Sequence, residues 1–131
     1  MHLINVTINV SSKYIIIMEK KNQILELSFE FALQIIEFTE LLEEKRKFVI
    51  ANQLLKSGTS IGANVREAQN CESKADFIHK MKIAAKEADE TEYWLLLCKF
   101  ASNYPDSPEL LVKIASIKKV LSAIISTLKK K

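Results

Sequence analysis

The sequence predicts an all-α protein, an antiparallel up-down-up-down four-helix bundle with a short N-terminal arm. Only two glycines and two prolines occur among 131 residues, so few tight turns are available and the elements must be long. From Ile24 onward, apolar residues recur at three- and four-residue intervals, the spacing of one helix face. Helix-start signals divide this pattern into segments of about 20 residues with short connections, as in a bundle.

The first two helices are predicted over residues 22–43 and 47–70. The break between them contains neither glycine nor proline. The apolar stripe of the first helix consists of Ile24, Leu27, Ser28, Phe31, Ile35, Phe38, Leu41 and Leu42. The stripe of the second consists of Val49, Leu54, Leu55, Ile61 and Val65.

The starts of the third and fourth helices carry capping signals. Ser73 followed by Asp76 forms a capping box. Ser107 suits the N-cap, with Pro108 at the first helical position and Glu109 in the first turn. The third helix then presents Phe77, Met81, Ala84, Ala88, Leu95 and Cys98, and ends at 103–105. The fourth presents Leu110, Leu111, Ile114, Ile117, Leu121, Ile124, Ile125 and Leu128.

Residues 1–21 form a separate segment, and residues 22–131 form the bundle. Four apolar residues at 4, 6, 8 and 10 alternate with polar ones, which is a strand pattern. A lone strand has no partner in a helical chain, so this segment is an arm that pairs with another subunit or is disordered. Alternatively, Met18 is the natural start and the preceding residues are an upstream extension.

Composition indicates one soluble globular domain in the cytoplasm. Hydrophobic residues make up 48% and charged residues 27%, ordinary values for such a domain. No apolar run approaches the roughly 20 residues of a membrane span, so no membrane partner is expected. Two cysteines and two histidines provide neither a disulfide framework nor a zinc spacing, and reduced thiols suit the cytoplasm.

The inventory of catalytic groups is thin, and no enzyme activity, metal or cofactor is predicted. No GxSxG, HExxH or CxxC motif occurs, and no Glu-x-x-His suggests a di-iron site. His79 and Cys98 lie on one helix, 19 residues and therefore about 30 Å apart, so they cannot form a dyad within one chain. The carboxylates of the third helix are interpreted as a solvated acidic face.

Basic residues are the candidate binding groups. His79, Lys82 and Lys86 fall on one stripe of the third helix, while Arg66 and Lys74 add charge nearby. Such a stripe could hold nucleic-acid phosphates without reading bases. The alternative is an ordinary solvated helix surface, since the net charge of +3 permits a nucleic-acid partner without demanding one.

Gly58 and Gly62 are four residues apart, which places both on one helix face. There, a missing side chain lets a neighbouring backbone come close. A phosphate-binding glycine loop is disfavoured, because no GxGxxG occurs and no Lys-Ser/Thr follows the second glycine. Both glycines are therefore predicted to serve helix packing.

Three segments in fixed order resemble the bacterial four-helix-bundle family of 23S rRNA intervening-sequence proteins. They are QLLKSGTSIGANVREA at 53–68, SKADFI at 73–78 and AKEADETEYWL at 85–95, and the resemblance extends over about residues 24–128. Many members carry proline where Gly62 stands and glycine where Ala68 stands. The resemblance implies no established enzymatic activity. It also implies kinship with accessory proteins of diversity-generating retroelements, which form pentameric barrels and bind nucleic acid and a reverse transcriptase.

Two functions therefore remain open. In one, the protein is a non-enzymatic homo-oligomer, a homopentamer by resemblance, that binds RNA or DNA through its basic surface. In the other, it is a protein-interaction scaffold that docks a partner protein, with its charges only solubilising. A steep salt dependence of nucleic-acid binding separates them, because only phosphate contacts produce it.

Overall fold

The structure, a computed structural model, describes residues 12–130, apart from the side chains of Lys13, Tyr14 and Ile17. It contains four helices: α1 (Ser12–Glu44), α2 (Phe48–Ala68), α3 (Lys74–Phe100) and α4 (Pro108–Lys129). Each helix packs along two neighbours, in the cyclic order α1–α2–α3–α4, so that α1 lies diagonally opposite α3. The predicted all-α four-helix bundle is confirmed.

Helix α1 is longer than predicted. It begins at Ser12 rather than near Asn22, and the first buried residue among its described side chains is Ile24. The described side chains before Ile24 therefore lie outside the buried core. The alternating pattern at 4–10 lies outside the described residues, and the assignment of 1–21 as an arm or an extension stays a prediction.

The core forms where the four apolar stripes meet along the bundle axis. Its largest fully buried side chains are Phe31, Ile24, Ile35, Leu42, Leu54, Ile61, Met81, Leu95, Ile114, Ile117, Leu121 and Ile124. The predicted stripes supply all of them. Two residues of the predicted stripes are exposed, namely Leu41 at 38% and Val49 at 77%. Val49 lies five positions before Leu54, a rotation of about 140° that turns its side chain away from the core.

Local signals position the helix ends. The Ser73 hydroxyl accepts a hydrogen bond from the Asp76 N–H at 3.0 Å, as the capping box predicts. The Ser107 hydroxyl accepts one from the Leu110 N–H at 3.2 Å. These contacts satisfy amides that a helix start leaves free.

The end of α1 is a Schellman motif built without glycine. Arg46 adopts a left-handed conformation with φ of 64°, and its N–H donates to the Glu43 carbonyl at 2.8 Å. The N–H of Lys47 donates back to the Leu42 carbonyl, also at 2.8 Å. These 6→1 and 5→2 hydrogen bonds end the helix and reverse the chain at a place where the sequence contains no glycine or proline.

Both glycines lie on the side of α2 that packs against α1. A Cβ on Gly58 would come within 2.9 Å of the Ile35 side chain. A Cβ on Gly62 would come within 3.3 Å of the Ser28 carbonyl oxygen. The Ser28 hydroxyl is itself occupied, since it donates to the Ile24 carbonyl at 2.7 Å. The absence of both side chains lets α1 and α2 approach closely.

No described helix has an apolar stretch long enough to cross a membrane.

Candidate nucleic-acid interface

The outward face of α3 divides into two chemically different halves. The buried residues of α3 recur every three or four positions, and the opposite face carries exposed side chains throughout. The N-terminal part, here called the basic half, consists of His79, Lys82 and Lys86. The C-terminal part, here called the apolar half, consists of Tyr93, Leu96, Leu97 and Phe100.

The basic half carries no neutralising partner among the described residues. Lysines that do form ion pairs are Lys80, Lys113 and Lys118. None of the five predicted binding residues (Arg66, Lys74, His79, Lys82 and Lys86) lies within ion-pair distance of a described carboxylate. All five are exposed. The positive charges of the arginine and the three lysines are therefore available to an incoming anion.

The five residues do not form one cluster. His79, Lys82 and Lys86 share the outward stripe of α3. Arg66 lies in the last turn of α2 and lines a shallow trough towards α1, beside Phe29. Lys74 opens α3 at one end of the bundle. Only His79, Lys82 and Lys86 therefore share one surface, whereas Arg66 faces the α1 side of α2 and Lys74 lies at one end of the bundle.

Three carboxylates of α2 and α3, those of Glu67, Asp89 and Glu92, form ion pairs with a neighbouring helix. Lys80 Nζ lies 2.7 Å from Glu67 Oε1, and this hydrogen bond raises the pKa of the Lys80 ammonium. Lys118 Nζ on α4 lies 2.7 Å from Glu92 Oε1 and 2.9 Å from Asp89 Oδ1. Hydrogen bonds to Glu92 and then to Asp89 raise the pKa of the Lys118 ammonium. Both lysines thus stay protonated, and these acids do not offset the basic half.

The apolar half is a feature that the core periodicity did not predict. Tyr93 is 55% exposed and Phe100 76% exposed, while Trp94 between them is half-buried against the core. Trp94 donates to Glu90 Oε2 at 3.1 Å and meets the Tyr93 ring edge-on. The sequence did contain a signal for this surface. Four large apolar residues occur within eight positions and do not belong to the buried stripe of α3.

Metal-ligating clusters and a Cys–His pair are the two catalytic arrangements that the sequence raised. Among residues 12–130, no cluster of three or more His, Cys, Asp or Glu side chains could hold a metal ion. Cys98 is buried, and desolvation raises the pKa of its thiol to about 11. His79 lies on the same uninterrupted helix, far along its outward face. A Cys–His dyad within one chain is thus geometrically excluded, as expected.

The model of the 23S rRNA-intervening sequence proteins matches residues 20–123. This chain belongs to that family. A 1.70 Å crystal structure of a protein of unknown function, from the S23 ribosomal protein family of Bacteroides thetaiotaomicron, is 43% identical, with a TM-score of 0.76. The match covers 82% of this chain and 98% of that one. No curated protein matches this chain.

Proposed function

We propose that this family member is a non-enzymatic, self-associating protein that binds RNA or DNA by its phosphates, through the basic half of α3. One observation carries the proposal. His79, Lys82 and Lys86 occupy about 10 Å of one exposed helix face, and none of them is paired with a described carboxylate. Cations that remain solvated and unpaired release counterions when phosphates bind them.

The chemistry of this stripe favours binding without base recognition. Lysine is a flexible point charge rather than a planar fork, so it suits phosphate more than a base edge. Tyr93, the nearest exposed aromatic residue along the stripe, lies about two turns beyond Lys86. RNA and DNA of different sequences should therefore bind with similar affinity.

Exposed apolar surface supports self-association. Four large apolar side chains form the apolar half, and Phe48 and Val49 are exposed at the start of α2, near the same end of the bundle. Monomeric proteins seldom leave a contiguous patch of this kind in water. Five copies are the number that the family resemblance implies. A ring would repeat the basic half around its circumference and multiply weak phosphate contacts into strong overall binding.

A second candidate function follows from the same apolar half. If it receives a different protein, the chain is a docking scaffold and its charges serve solubility. The two candidates make opposite predictions for nucleic acid, because a scaffold has no reason to bind phosphate in a salt-dependent way.

Fluorescence anisotropy with mixed-sequence RNA and duplex DNA tests the proposal. We expect binding at low salt that weakens steeply towards physiological salt. The Lys82→Glu/Lys86→Glu variant should lose at least about tenfold in affinity and lower the salt slope by about two. The matched control is Lys45→Glu/Lys56→Glu, which changes the net charge equally at two exposed lysines elsewhere.

Equal losses in both variants would show that only net charge matters. An absence of binding at low salt would rule out the proposal and leave the scaffold.

A further inference from the structure

A long groove separates α3 from α4, with a volume of about 490 Å³. It is open to solvent, so an extended ligand can enter from the side. Most of its lining comes from α4. The lining residues are Ala85, Asp89, Lys118, Ser122, Ile125, Ser126, Lys129 and Lys130.

The α4 bank of this groove is rich in cations and hydroxyls. Helix α4 and the residue after it carry five lysines and a single acid, Glu109. Lys118, Ser122, Ser126 and Lys129 follow one another at intervals of four, four and three residues, which keeps them on one flank of the helix. The bank therefore offers polar donors over about 16 Å.

Charge is unevenly distributed along the groove. At one end, Lys118 is neutralised by Asp89 and Glu92 on α3. At the other end, Lys129 and Lys130 have no ion-pair partner among the described residues. The groove thus becomes more positive towards the C-terminus of α4.

The ion pair between Lys118 and Asp89 also shows which residues of α3 and α4 lie at the same height in the bundle. Asp89 lies beside Lys118, and neighbouring helices in this bundle are antiparallel. Lys82, seven residues earlier on α3, consequently lies level with Ile125 on α4. Lys86 lies three residues before the groove residue Asp89, which makes the two neighbours on the helix surface. The basic half of α3 therefore runs beside the same groove that Lys129 and Lys130 line from the other side.

We infer that the sugar-phosphate backbone of one nucleic-acid strand lies lengthwise in the α3/α4 groove. Lys82 and Lys86 contact its phosphates from one bank, and Lys129 and Lys130 from the other. The hydroxyls of Ser122 and Ser126 donate hydrogen bonds to phosphate oxygens between them. This inference rests on the proposed function, which needs only the α3 stripe, and it adds a second bank and a path for the strand.

A polymer fits the groove better than a small anion. The free cations lie on two helices and at one end of the groove, so no single phosphate can reach all of them. Ala85 and Ile125 add apolar lining that suits the carbon atoms of sugars rather than a further anion. Helix-bound lysines and hydroxyls contact phosphates without selecting bases.

Charge reversal on α4 tests the second bank. In the full chain, Lys129→Glu/Lys130→Glu should weaken binding of a fluorescent mixed-sequence RNA at least about tenfold and lower the salt slope by about two. The Lys45→Glu/Lys56→Glu control should change both much less. A loss no greater than that of the control would overturn the inference.

Filling the groove provides a test that leaves the charge unchanged. Ser126→Trp should weaken RNA binding severalfold, because the indole occupies the path of the strand. Ser116→Trp is the matched control, since Ser116 is also exposed on α4 but lines the trough towards α1. Equal affinities of the two variants would place the strand elsewhere.

The outcomes separate this inference from the proposed function. If the wild-type protein binds no RNA, the proposed function itself is rejected. Wild-type binding that is lost in Lys82→Glu/Lys86→Glu but unaffected in both α4 variants keeps the proposed function and rejects the groove. Displacement of the RNA by millimolar mononucleotide would indicate a small-ligand site instead and would also reject the inference.

Discussion

The basic and apolar halves of α3 share one uninterrupted helix and one inward stripe, yet they offer solvent opposite chemistry. Beneath the basic half, Met81 and Ala84 are fully buried, and beneath the apolar half Leu95 and Cys98 are buried equally well. The inward residues therefore account for the fold of both halves. The two halves differ only in their outward-facing side chains, which are the ones that a binding partner would contact.

The physical consequence differs between the halves. Lysine and histidine side chains are well hydrated, so the basic half is stable in water without a partner until an anion displaces its counterions. Exposed apolar surface costs about 25 cal/mol for each Å² left in water. The apolar half thus gains stability from any protein surface that covers it. The two halves should respond independently to substitution.

The largest expected effect comes from removing the apolar half. Leu97→Gln with Phe100→Gln keeps helix propensity and charge but removes the apolar surface on which the proposed self-association rests. We expect the assembled protein to become monomeric at micromolar concentration, as measured by size-exclusion chromatography with light scattering, with an unchanged circular dichroism spectrum. Assemblies of unchanged size would show that the apolar half faces a different protein or none.

The reciprocal change should leave assembly intact. Lys82→Glu/Lys86→Glu loses nucleic-acid binding by about tenfold or more, and light scattering should report the wild-type mass. If this variant also dissociates, the two halves are not independent, and the basic residues contribute to the contact between subunits.

A smaller effect, on the free energy of unfolding, is expected at Thr91, which lies between the two halves. The buried Thr91 hydroxyl lies 2.9 Å from the Ser57 hydroxyl on α2 and 2.8 Å from the Glu87 carbonyl oxygen. Thr91→Val deprives the buried Ser57 hydroxyl of this partner and should cost about 1–3 kcal/mol in the free energy of unfolding. Ser57→Ala/Thr91→Val should recover much of that loss. Urea denaturation measures both, and a larger loss in the double variant would contradict the argument.

The smallest effect is expected in the alkylation of Cys98, a buried residue on the inward face of the apolar half. Burial raises the pKa of its thiol to about 11, so little reactive thiolate forms near neutral pH. Iodoacetamide at pH 8 should label the half-buried Cys71 before Cys98, in the wild type and in Leu97→Gln/Phe100→Gln alike. Rapid labelling of Cys98 only in that variant would mean that the helix has unravelled and that the loss of assembly reflects unfolding.

The same thiol gives a pH dependence with a defined sign. An unfolded Cys98 ionises near its ordinary value of 9.0, whereas the folded one remains protonated up to about 11. The folded state therefore binds more protons in that window, and stability should fall as the pH rises from 9 to 11. Cys98→Ala should show a smaller decrease over the same range.

The sequence by itself determined the number, order and inward faces of the helices. Periodicity places Phe31, Ile61 and Leu95 in the core, and Ser73 and Ser107 mark helix starts, because these signals depend on residues within a few positions of one another. The same local reasoning failed at the chain reversal after α1. There Arg46 adopts a left-handed backbone conformation, which an arginine in the sequence does not predict.

The tertiary structure alone decided which charges remain free and what lies beside them. Nothing in the spacing of α3 and α4 reveals that Lys118 is neutralised by Asp89 and Glu92 while Lys129 and Lys130 are not. The lateral register of two packed helices determines those pairs, and it depends on how residues far apart in the chain fill a common core. The same packing brings Ala85 and Ile125, which are 40 residues apart in sequence, to opposite banks of one groove.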